Sequence, residues 1–318
     1  MNLSTPLVSV CITAYNQEKY IAQAIESVLT QQTSFDVELV VGDDGSTDRT
    51  GEICRGYAAK YPDRIRLLAS PVNLGMRANY KRIFEACRGR YIAICDGDDW
   101  WTDPQKLELQ VELMESDPEC GMCYARSYFW IEAEKRVASL FPAGKPHVTF
   151  DELILENTIP NPTALVRREL VESYYTEVRP LEKPWPLDDY SMWLWCAAHA
   201  RIRFMDRVFM SYRVLSDSSC HFSDPRAKVR YEDQVADIRR WFDAAFGHRS
   251  HYRALEQQQI LLGLELLKPL GFRASLGYWV RTVAAHPRLL LLGRGYHALS
   301  RAFRKSLKKT LKIDGRRK

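Results

Sequence analysis

Residues 90–104, which read Arg-Tyr-Ile-Ala-Ile-Cys-Asp-Gly-Asp-Asp-Trp-Trp-Thr-Asp-Pro, decide the fold of this 318-residue chain. The short apolar run at residues 91–95 is typical of a strand that is buried on both faces. Three carboxylates follow it within four residues, on Asp96, Asp98 and Asp99. The stretch therefore predicts a buried strand whose carboxyl end carries a cluster of acids.

A helix is predicted directly after this acidic cluster. Asp103 would be its N-cap and Pro104 its first residue, a position that tolerates proline because the backbone N–H has no helical partner there. Leu107, Val111 and Met114 then share one face of the helix. We expect this face to be buried.

The crowded carboxylates predict a bound cation, because like charges at the end of a buried strand repel one another. Oxygen ligands without His or Cys beside them suit Mg²⁺ or Mn²⁺, and these ions commonly accompany phosphate-bearing substrates. The alternative is a solvated acidic turn that caps the following helix. The residue types favour a metal–nucleotide site at the strand end.

Strand and helix patterns alternate in the first third of the chain. Apolar strand patterns occupy residues 7–14, 37–41, 65–69 and 91–95, with helical patterns between them. This alternation predicts an α/β fold with a mostly parallel sheet flanked by helices, in which ligands bind at the carboxyl ends of strands. Three strand ends carry polar or aromatic residues that should meet in one crevice: Thr13 with Tyr15, Asp43 with Asp44, and Asp96 with Asp98.

The loop at residues 42–46, Gly-Asp-Asp-Gly-Ser, argues against two common nucleotide-binding classes. It lacks the glycine spacing of a dinucleotide-binding turn and the lysine of a P-loop. Asp43 and Asp44 suit acceptance of hydrogen bonds from a base N–H or a ribose hydroxyl. Turn and helix-cap chemistry, which aspartate also favours, is the equally supported alternative.

The rest of the chain predicts further strands and a helical C-terminal part. Strand patterns lie at residues 121–131, 136–140 and 203–214, an extended piece at 160–166, and helical patterns at 149–156, 191–200, 231–246 and 255–267. Asp188 and Asp189 precede the helix at 191–200, where the helix dipole favours acids. We divide the chain into an α/β domain, residues 1–224, and a helical extension, residues 225–318.

Cysteine usage and hydropathy indicate a cytoplasmic protein. The eight cysteines are scattered through apolar patterns, which predicts reduced thiols. Cys120 and Cys123 form a C-x-x-C motif without a second pair, which argues against zinc. We expect no signal peptide and no transmembrane span, since the start lacks a basic region and no run of about 18 apolar residues occurs.

The C-terminal tail is strongly basic. Residues 293–318 contain ten Lys and Arg side chains against Asp314 alone, so the remainder of the chain is slightly acidic. Leu299, Phe303, Leu307 and Leu311 form an apolar stripe among these charges. Such a helix can lie on an anionic membrane surface, which would place the protein at the inner face of the cytoplasmic membrane. The alternative is a helix docked on its own domain or a partner, and we expect no nucleic-acid binding because no recognised module is present.

Four motifs in order resemble the family 2 glycosyltransferases. They are residues 8–16 (Val-Ser-Val-Cys-Ile-Thr-Ala-Tyr-Asn), 42–48 (Gly-Asp-Asp-Gly-Ser-Thr-Asp), 73–75 (Asn-Leu-Gly) and 96–104 (Asp-Gly-Asp-Asp-Trp-Trp-Thr-Asp-Pro). The resemblance covers about residues 5–222. It implies an inverting enzyme of the GT-A fold, with a Rossmann-like nucleotide-binding half and a nucleotide-diphosphate sugar as donor.

The resemblance also implies roles for individual residues. Thr13, Ala14 and Tyr15 would lie against the nucleotide base, and Asp44 would hydrogen-bond the edge of that base. Asp99 and Trp101 would shape the donor-sugar pocket. Asp96 and Asp98 match the family's D-x-D motif, with Asp98 the direct ligand of Mg²⁺ or Mn²⁺. The acidic motif at residues 189–194 implies that Asp189, ahead of Asp188, is the catalytic base.

Two positions depart from the family's pattern or lie outside it. Relatives often carry a His two residues after Tyr212-Arg213, where this chain has Leu215. His221 is a candidate substitute as a metal or phosphate contact, and an exposed loop histidine is the alternative. Arg77 is a candidate for the diphosphate, with a solvated helix arginine as the alternative.

The predicted function is transfer of a sugar, with UDP as the carrier by family habit, to a hydroxyl of a glycan or lipid-linked acceptor during cell-surface polysaccharide synthesis. One rival is a catalytically silent nucleotide-sugar-binding or scaffold protein. A sugar nucleotidyltransferase is disfavoured, because the glycine-rich loop with a basic residue near the start of such enzymes is missing here.

Overall fold

The computed structural model describes residues 5–215, 222 and 224–285. His221 and the predicted amphipathic tail lie outside these residues. The chain divides into two compact units, one of residues 1–183 and 187–216 and the other of residues 184–186 and 217–318.

Four parallel strands with helices between them form the first half of the sheet, as predicted. The strands are β1 (Val8–Ala14), β2 (Val37–Asp43), β3 (Ile65–Ala69) and β4 (Tyr91–Asp96), and the helices are α1 (Ile21–Leu29), α2 (Thr50–Lys60) and α3 (Met76–Ala86). The sheet order is β3-β2-β1-β4. Val10 and Ile12 of β1 are fully buried, which explains the continuous apolar run at this central strand.

The second half of the sheet is mixed, so the prediction of a mostly parallel sheet holds only for the first half. Its elements are β5 (Trp100–Trp101), α4 (Lys106–Ser116), β6 (Cys120–Ile131), β7 (Arg136–Phe141), α5 (Phe150–Leu153), β8 (Leu165–Arg167), α6 (Arg168–Ser173), α7 (Asp189–His199) and β9 (Arg201–Val214). The order continues from β4 as β8-β6-β9-β5, with β7 on β6. β8 is antiparallel to β4 and β6, whereas β9 is parallel to β6.

The start of α4 differs from the prediction. The helix begins at Lys106 with Gln105 at the N-cap position, and no side chain caps it. The Asp103 carboxylate instead accepts a hydrogen bond from the Gln105 backbone N–H at 2.9 Å, which forms a turn before the helix. The predicted apolar face is correct, since Leu107, Val111 and Met114 are all buried.

The second unit contains three described helices. They are α8 (Pro225–Ala245), α9 (Tyr252–Leu267) and α10 (Phe272–Ala285). The sequence predicted this helical extension, with shorter forms of α8 and α9 and without separate bounds for α10. Val229, Ile260 and Leu264 belong to the small core of this unit. Across the described part of the chain, none of the helices is both long and apolar enough to span a bilayer.

Candidate active site

The carboxyl ends of β1, β2 and β4 lie side by side. Thr13 is opposite Gly42 on one side and Asp96 on the other, and Ala14 is opposite Asp43. Because the three strands are parallel and in register, the residues that follow them emerge at one edge of the sheet. The structure therefore brings together three of the strand ends that the sequence predicted to converge.

Asp96 is held by three side chains from three elements. One carboxylate oxygen accepts hydrogen bonds from the Tyr80 hydroxyl and, at 3.4 Å, from the Thr13 hydroxyl. The other accepts one from the Asn161 side-chain amide at 3.1 Å. Burial raises the pKa of Asp96, and these three donors oppose the rise. Both oxygens of this carboxylate are thus engaged by the protein.

Asp99 is fixed by the distant residue Arg213. One oxygen of Asp99 accepts the Arg213 backbone N–H at 2.7 Å, and the Arg213 Nε donates to the Asp98 backbone carbonyl at 2.7 Å. The second carboxylate oxygen of Asp99 is buried and has no hydrogen-bond partner among the described residues. Burial first, and then the charges of Asp98 and Asp96, raise the pKa of Asp99 well above its ordinary value.

The described residues do not build a complete metal centre by themselves. They contain no group of three or more His, Cys, Asp or Glu side chains that could hold an ion. Asp96 is engaged through both oxygens and Asp99 faces the Arg213 backbone. The Asp98 carboxylate is only partly buried at this edge. A cation here would need further oxygen ligands, of the kind that a diphosphate carries.

Asp44 is buried against the turn that precedes α3. Its two oxygens accept the backbone N–H groups of Leu74, at 2.8 Å, and of Gly75, at 2.9 Å. Gly75 has a φ of 89°, a conformation that glycine adopts without strain. If Asp44 contacts the nucleotide base as predicted, it does so through carboxylate oxygens that already accept hydrogen bonds from this turn. Tyr15, which the sequence also assigned to the base, is 44% exposed.

Asp189 is the first residue of α7 and shares the electrostatic environment of the strand ends. One of its oxygens accepts the Tyr190 backbone N–H at 2.7 Å. Burial raises the pKa of Asp189 to about 6, and the negative charges of Asp96 and Asp188 add to the rise. Since the charge of Asp96 acts on Asp189, these two acids lie close enough to influence each other electrostatically.

The neighbouring acid, Asp188, is tied into the protein. It is 5% exposed, and one oxygen accepts the Arg77 Nε at 2.7 Å while the other receives the Tyr175 hydroxyl at 3.5 Å. The Arg77 guanidinium also donates to the backbone carbonyls of Lys183, at 3.2 Å, and Pro180. Arg77 therefore links α3 to the loop that leads into α7.

Comparison with known proteins identifies the family. The model of the family described as "Glycosyl transferase family 2" matches residues 9–175, which is more than half of the chain. The chain belongs to glycosyl transferase family 2. The family match runs from β1 to the residues after α6 and includes the strand ends described above.

Two relatives of this family member illustrate its similarity in sequence. The uncharacterized protein Rv1520 of Mycobacterium tuberculosis is 29% identical over 290 residues, which cover 89% of this chain and 82% of that protein. TuaG of Bacillus subtilis, named as a teichuronic acid biosynthesis glycosyltransferase, is 31% identical over 164 residues, or 52% of this chain and 63% of TuaG.

Two solved structures share the fold. TarS residues 1–349 of S. aureus in complex with UDP-GlcNAc has a TM-score of 0.55 at 18% identity, covering 84% of this chain and 82% of that chain. The mannosyltransferase PcManGT of Pyrobaculum calidifontis, in complex with GDP-Man and Mn²⁺, has a TM-score of 0.55 at 17% identity, covering 96% and 87%. The predicted GT-A glycosyltransferase fold is confirmed.

Trp101 occupies a core position in this family member. Its side chain is 4% exposed, its indole N–H donates to the Pro162 carbonyl at 3.0 Å, and the Lys106 ammonium lies 3.9 Å from the ring centre. Burial lowers the pKa of Lys106 to about 7. This packing explains the side chain of Trp101 without a sugar contact, so its assignment to the donor pocket stays a prediction.

Sequence reasoning missed three residues that hold the acids of the site. Tyr80 and Asn161 contact Asp96, and Arg213 contacts Asp98 and Asp99. The sequence around Asn161 contained a clue to an unusual backbone, because this residue stands between two prolines. In the structure it begins a short segment of 3-10 helix. Arg213 sits on β9 with its guanidinium 4.4 Å from the centre of the Trp100 ring, a contact between residues too distant in sequence to predict.

Proposed function

We propose that the chain is an inverting, cation-dependent glycosyltransferase that moves a sugar from a UDP-sugar to a hydroxyl of a glycan or lipid-linked acceptor in cell-surface polysaccharide synthesis. Membership of the family and the name of TuaG support the sugar transfer and its place in polysaccharide synthesis. The complexes of TarS with UDP-GlcNAc and of PcManGT with GDP-Man and Mn²⁺ support a nucleotide-sugar donor and a divalent cation.

The electrostatics of Asp189 carry this proposal. A buried carboxyl with a pKa of about 6 is largely ionised at neutral pH and is a stronger base than an ordinary aspartate. An acceptor hydroxyl is a poor nucleophile until a base takes its proton, and such a base contributes typically ~10²–10⁴-fold. The influence of the Asp96 charge on Asp189 supports this role, because donors bind at strand ends in this class of sheet.

In the proposed reaction the Asp189 carboxylate accepts the proton of the acceptor hydroxyl. The hydroxyl oxygen forms a bond to the anomeric carbon as the bond between that carbon and the diphosphate oxygen breaks. The sugar passes through a state with oxocarbenium character, as in glycoside hydrolysis. One displacement from the face opposite the leaving group inverts the anomeric configuration.

We assign the cation to Asp98 together with the oxygens of the bound diphosphate. Asp96 then serves as a fixed element of the strand end, because Tyr80, Thr13 and Asn161 already engage its oxygens. When bound, Mg²⁺ or Mn²⁺ neutralises the negative charge that develops on the diphosphate as it leaves. His221 remains a candidate further ligand. Because the described residues lack a three-ligand group, we expect tight cation binding only together with the nucleotide.

We also infer a division of work between Asp188 and Asp189. Asp188 is paired with Arg77 and is the helix N-cap residue, whereas the Asp189 carboxylate accepts a backbone N–H from Tyr190. Arg77 and Asp188 fix the start of α7, and Asp189 does the chemistry. In this arrangement Arg77 acts on the base through Asp188, as an alternative to its predicted contact with the diphosphate.

For localisation, we keep the proposal of a cytoplasmic enzyme that reaches the inner face of the membrane through its basic tail. The buried thiols of the described cysteines agree with a reducing compartment. Liposome co-sedimentation of the full chain and a chain ending before Gly293 tests the tail, and equal binding of the two would remove the membrane contact.

The decisive experiment is transfer itself. Purified enzyme is incubated with a panel of UDP-sugars and Mn²⁺, with and without simple glycan acceptors, and UDP release is followed. The anomeric configuration of the product is then read from its NMR coupling constants. Inversion is the expected result. Retention, or tight nucleotide binding without turnover for any acceptor, would contradict the proposal, and the second result would favour a silent nucleotide-sugar-binding protein.

A further inference from the structure

The helical unit contains a cavity that the proposed chemistry does not use. It has a volume of about 680 Å³ and lies among α8, α9 and α10. This is within the usual range for small-molecule sites, roughly 300–1,000 Å³. All of its lining residues belong to the second unit.

Arginines dominate the wall of this cavity. Arg226 and Arg230 are one turn apart on α8, and Arg273 and Arg281 lie on α10, so each helix presents its pair on one side. Arginine stays protonated at every physiological pH, so these charges cannot be relieved by loss of a proton. We name this feature the arginine cavity.

The lining offers little negative charge in return. Asp233 is the acid in the lining, and one of its oxygens is already engaged by the Gln259 amide at 2.5 Å and the Tyr278 hydroxyl at 3.1 Å. A fifth arginine, Arg240, is neutralised separately by the buried Glu256 at 2.6 Å.

The four arginines of the cavity wall are poorly matched with acids. Arg230 lies 4.0 Å from Asp224, and both side chains are mostly exposed, a geometry that contributes little. Within the described chain, Arg226, Arg273 and Arg281 have no carboxylate within ion-pair distance. Four guanidinium groups against the single carboxylate of Asp233 leave the cavity with an excess of positive charge, which a bound anion would neutralise.

We propose that the arginine cavity binds the phosphate or diphosphate group of an anionic ligand. The guanidinium fork matches the oxygens of a phosphate and donates charge-assisted hydrogen bonds to them. Val229, Leu267 and Ala274 give the same cavity an apolar wall. A ligand that combines a phosphate with an apolar group, whether dissolved or as the headgroup of a membrane lipid, fits both surfaces.

Gly277 provides a test that leaves every charge in place. It lies on α10 in the cavity lining, and a Cβ built on it meets no atom within 4 Å. A leucine at this position would project into open space and fill part of the cavity. Because leucine is a better helix former than glycine, Gly277→Leu should not weaken α10.

The experiment compares four full-length proteins: the wild type, Gly277→Leu, the double variant Arg273→Gln/Arg281→Gln, and a charge-matched control, Arg249→Gln/Lys268→Gln. Arg249 and Lys268 are exposed and do not line the cavity. Calorimetry measures inorganic pyrophosphate binding with EDTA present, which removes the cation that diphosphate binding at the strand ends would need. Calorimetry also measures binding of a short-chain phosphatidic acid at a concentration where it stays dissolved as single molecules, so that the attraction of the basic tail to a charged membrane surface does not contribute.

We expect the wild type and the control to bind at least one of the two probes, and the other two variants to bind it roughly tenfold more weakly or worse. Binding of pyrophosphate points to a dissolved ligand, and binding of the short-chain phosphatidic acid alone points to a lipid headgroup. Binding of neither probe by the wild type, or equal affinity in all four proteins, would overturn the proposal. So would loss in the arginine variant with full binding by Gly277→Leu, because the anion would then lie outside the cavity.

Discussion

The acids at the end of β4 and the acids at the start of α7 are held in place by different kinds of partner. At the end of β4, Asp96 is engaged by three side chains and Asp99 by a backbone N–H, whereas Asp98 is partly exposed. At the start of α7, Asp188 is engaged by Arg77, and Asp189 receives one backbone N–H. In each cluster the protein engages one acid through side chains, Asp96 in the first and Asp188 in the second.

The difference between the clusters lies in what opposes the charge. Asp188 has a cation of the protein beside it, whereas the donors to Asp96 are neutral groups. Neutral donors orient a carboxylate but leave its charge uncompensated. The charge of Asp96 is therefore not opposed by its own donors, whereas Arg213 opposes the charge of Asp99 and Arg77 opposes that of Asp188.

Replacing the proposed base should have the largest effect. Asp189→Asn keeps the shape of the side chain and the acceptor for the Tyr190 N–H, but removes the group that takes the proton. We expect turnover to fall by ~10²–10⁴-fold while the affinity for UDP with Mn²⁺ stays the same. Steady-state kinetics and calorimetry on the same preparation check both parts.

The pH profile of the wild type is the internal control for this variant. A base with a pKa of about 6 makes kcat/KM fall as the pH drops below that value, and the residual activity of Asp189→Asn should lack this limb.

The raised pKa also means that the folded protein binds the Asp189 proton more tightly than the unfolded chain does. This group therefore lowers stability as the pH rises from about 4 to 6, so Asp189→Asn should melt at a higher temperature at pH 7. Unchanged turnover would disprove the assignment of the base.

Much of this comparison was predictable from the sequence. Alternating strands and helices predict parallel strands whose carboxyl ends share one edge, so Thr13, Asp44 and Asp96 could be placed at that edge without coordinates. The acid at the start of α7 was located through its resemblance to a family motif. Neither prediction requires knowing which side chains contact one another.

The pairing of each acid with its partner could not be predicted. Arg77 meets Asp188 across 111 positions, and Arg213 meets Asp99 across 114. Such contacts depend on how β9 and α7 return to the first half of the sheet, which local patterns do not specify. Asp103 shows the limit even at short range, because an aspartate before a proline suits both an N-cap and the turn that the structure contains.

Replacing Asp98, the acid that we assign to the cation, should have the second largest effect, and this effect should appear in the affinity for UDP. Asp98→Asn retains an oxygen ligand but loses its charge, and we expect UDP affinity in the presence of Mn²⁺ to fall by roughly tenfold or more. Affinity measured with EDTA should not change. Asp96→Asn is the matched comparison, and its effect should appear chiefly as lower thermal stability, because Asp96 is held by protein donors. Equal UDP affinity of Asp98→Asn and the wild type with Mn²⁺ would contradict the cation assignment.

Replacing Arg77 should change turnover less than the other substitutions do. It also tests how the acids at the start of α7 are held in place. Arg77→Gln leaves the buried Asp188 without its cation, which should lower the free energy of unfolding by about 3 kcal/mol, and Asp188→Asn in the same chain should restore part of this loss. If Arg77 only positions the start of α7, kcat falls severalfold while UDP affinity is unchanged. If UDP affinity falls instead, Arg77 contacts the diphosphate, as the sequence first suggested. The split between kcat and UDP affinity therefore decides whether this arginine serves the base or the donor.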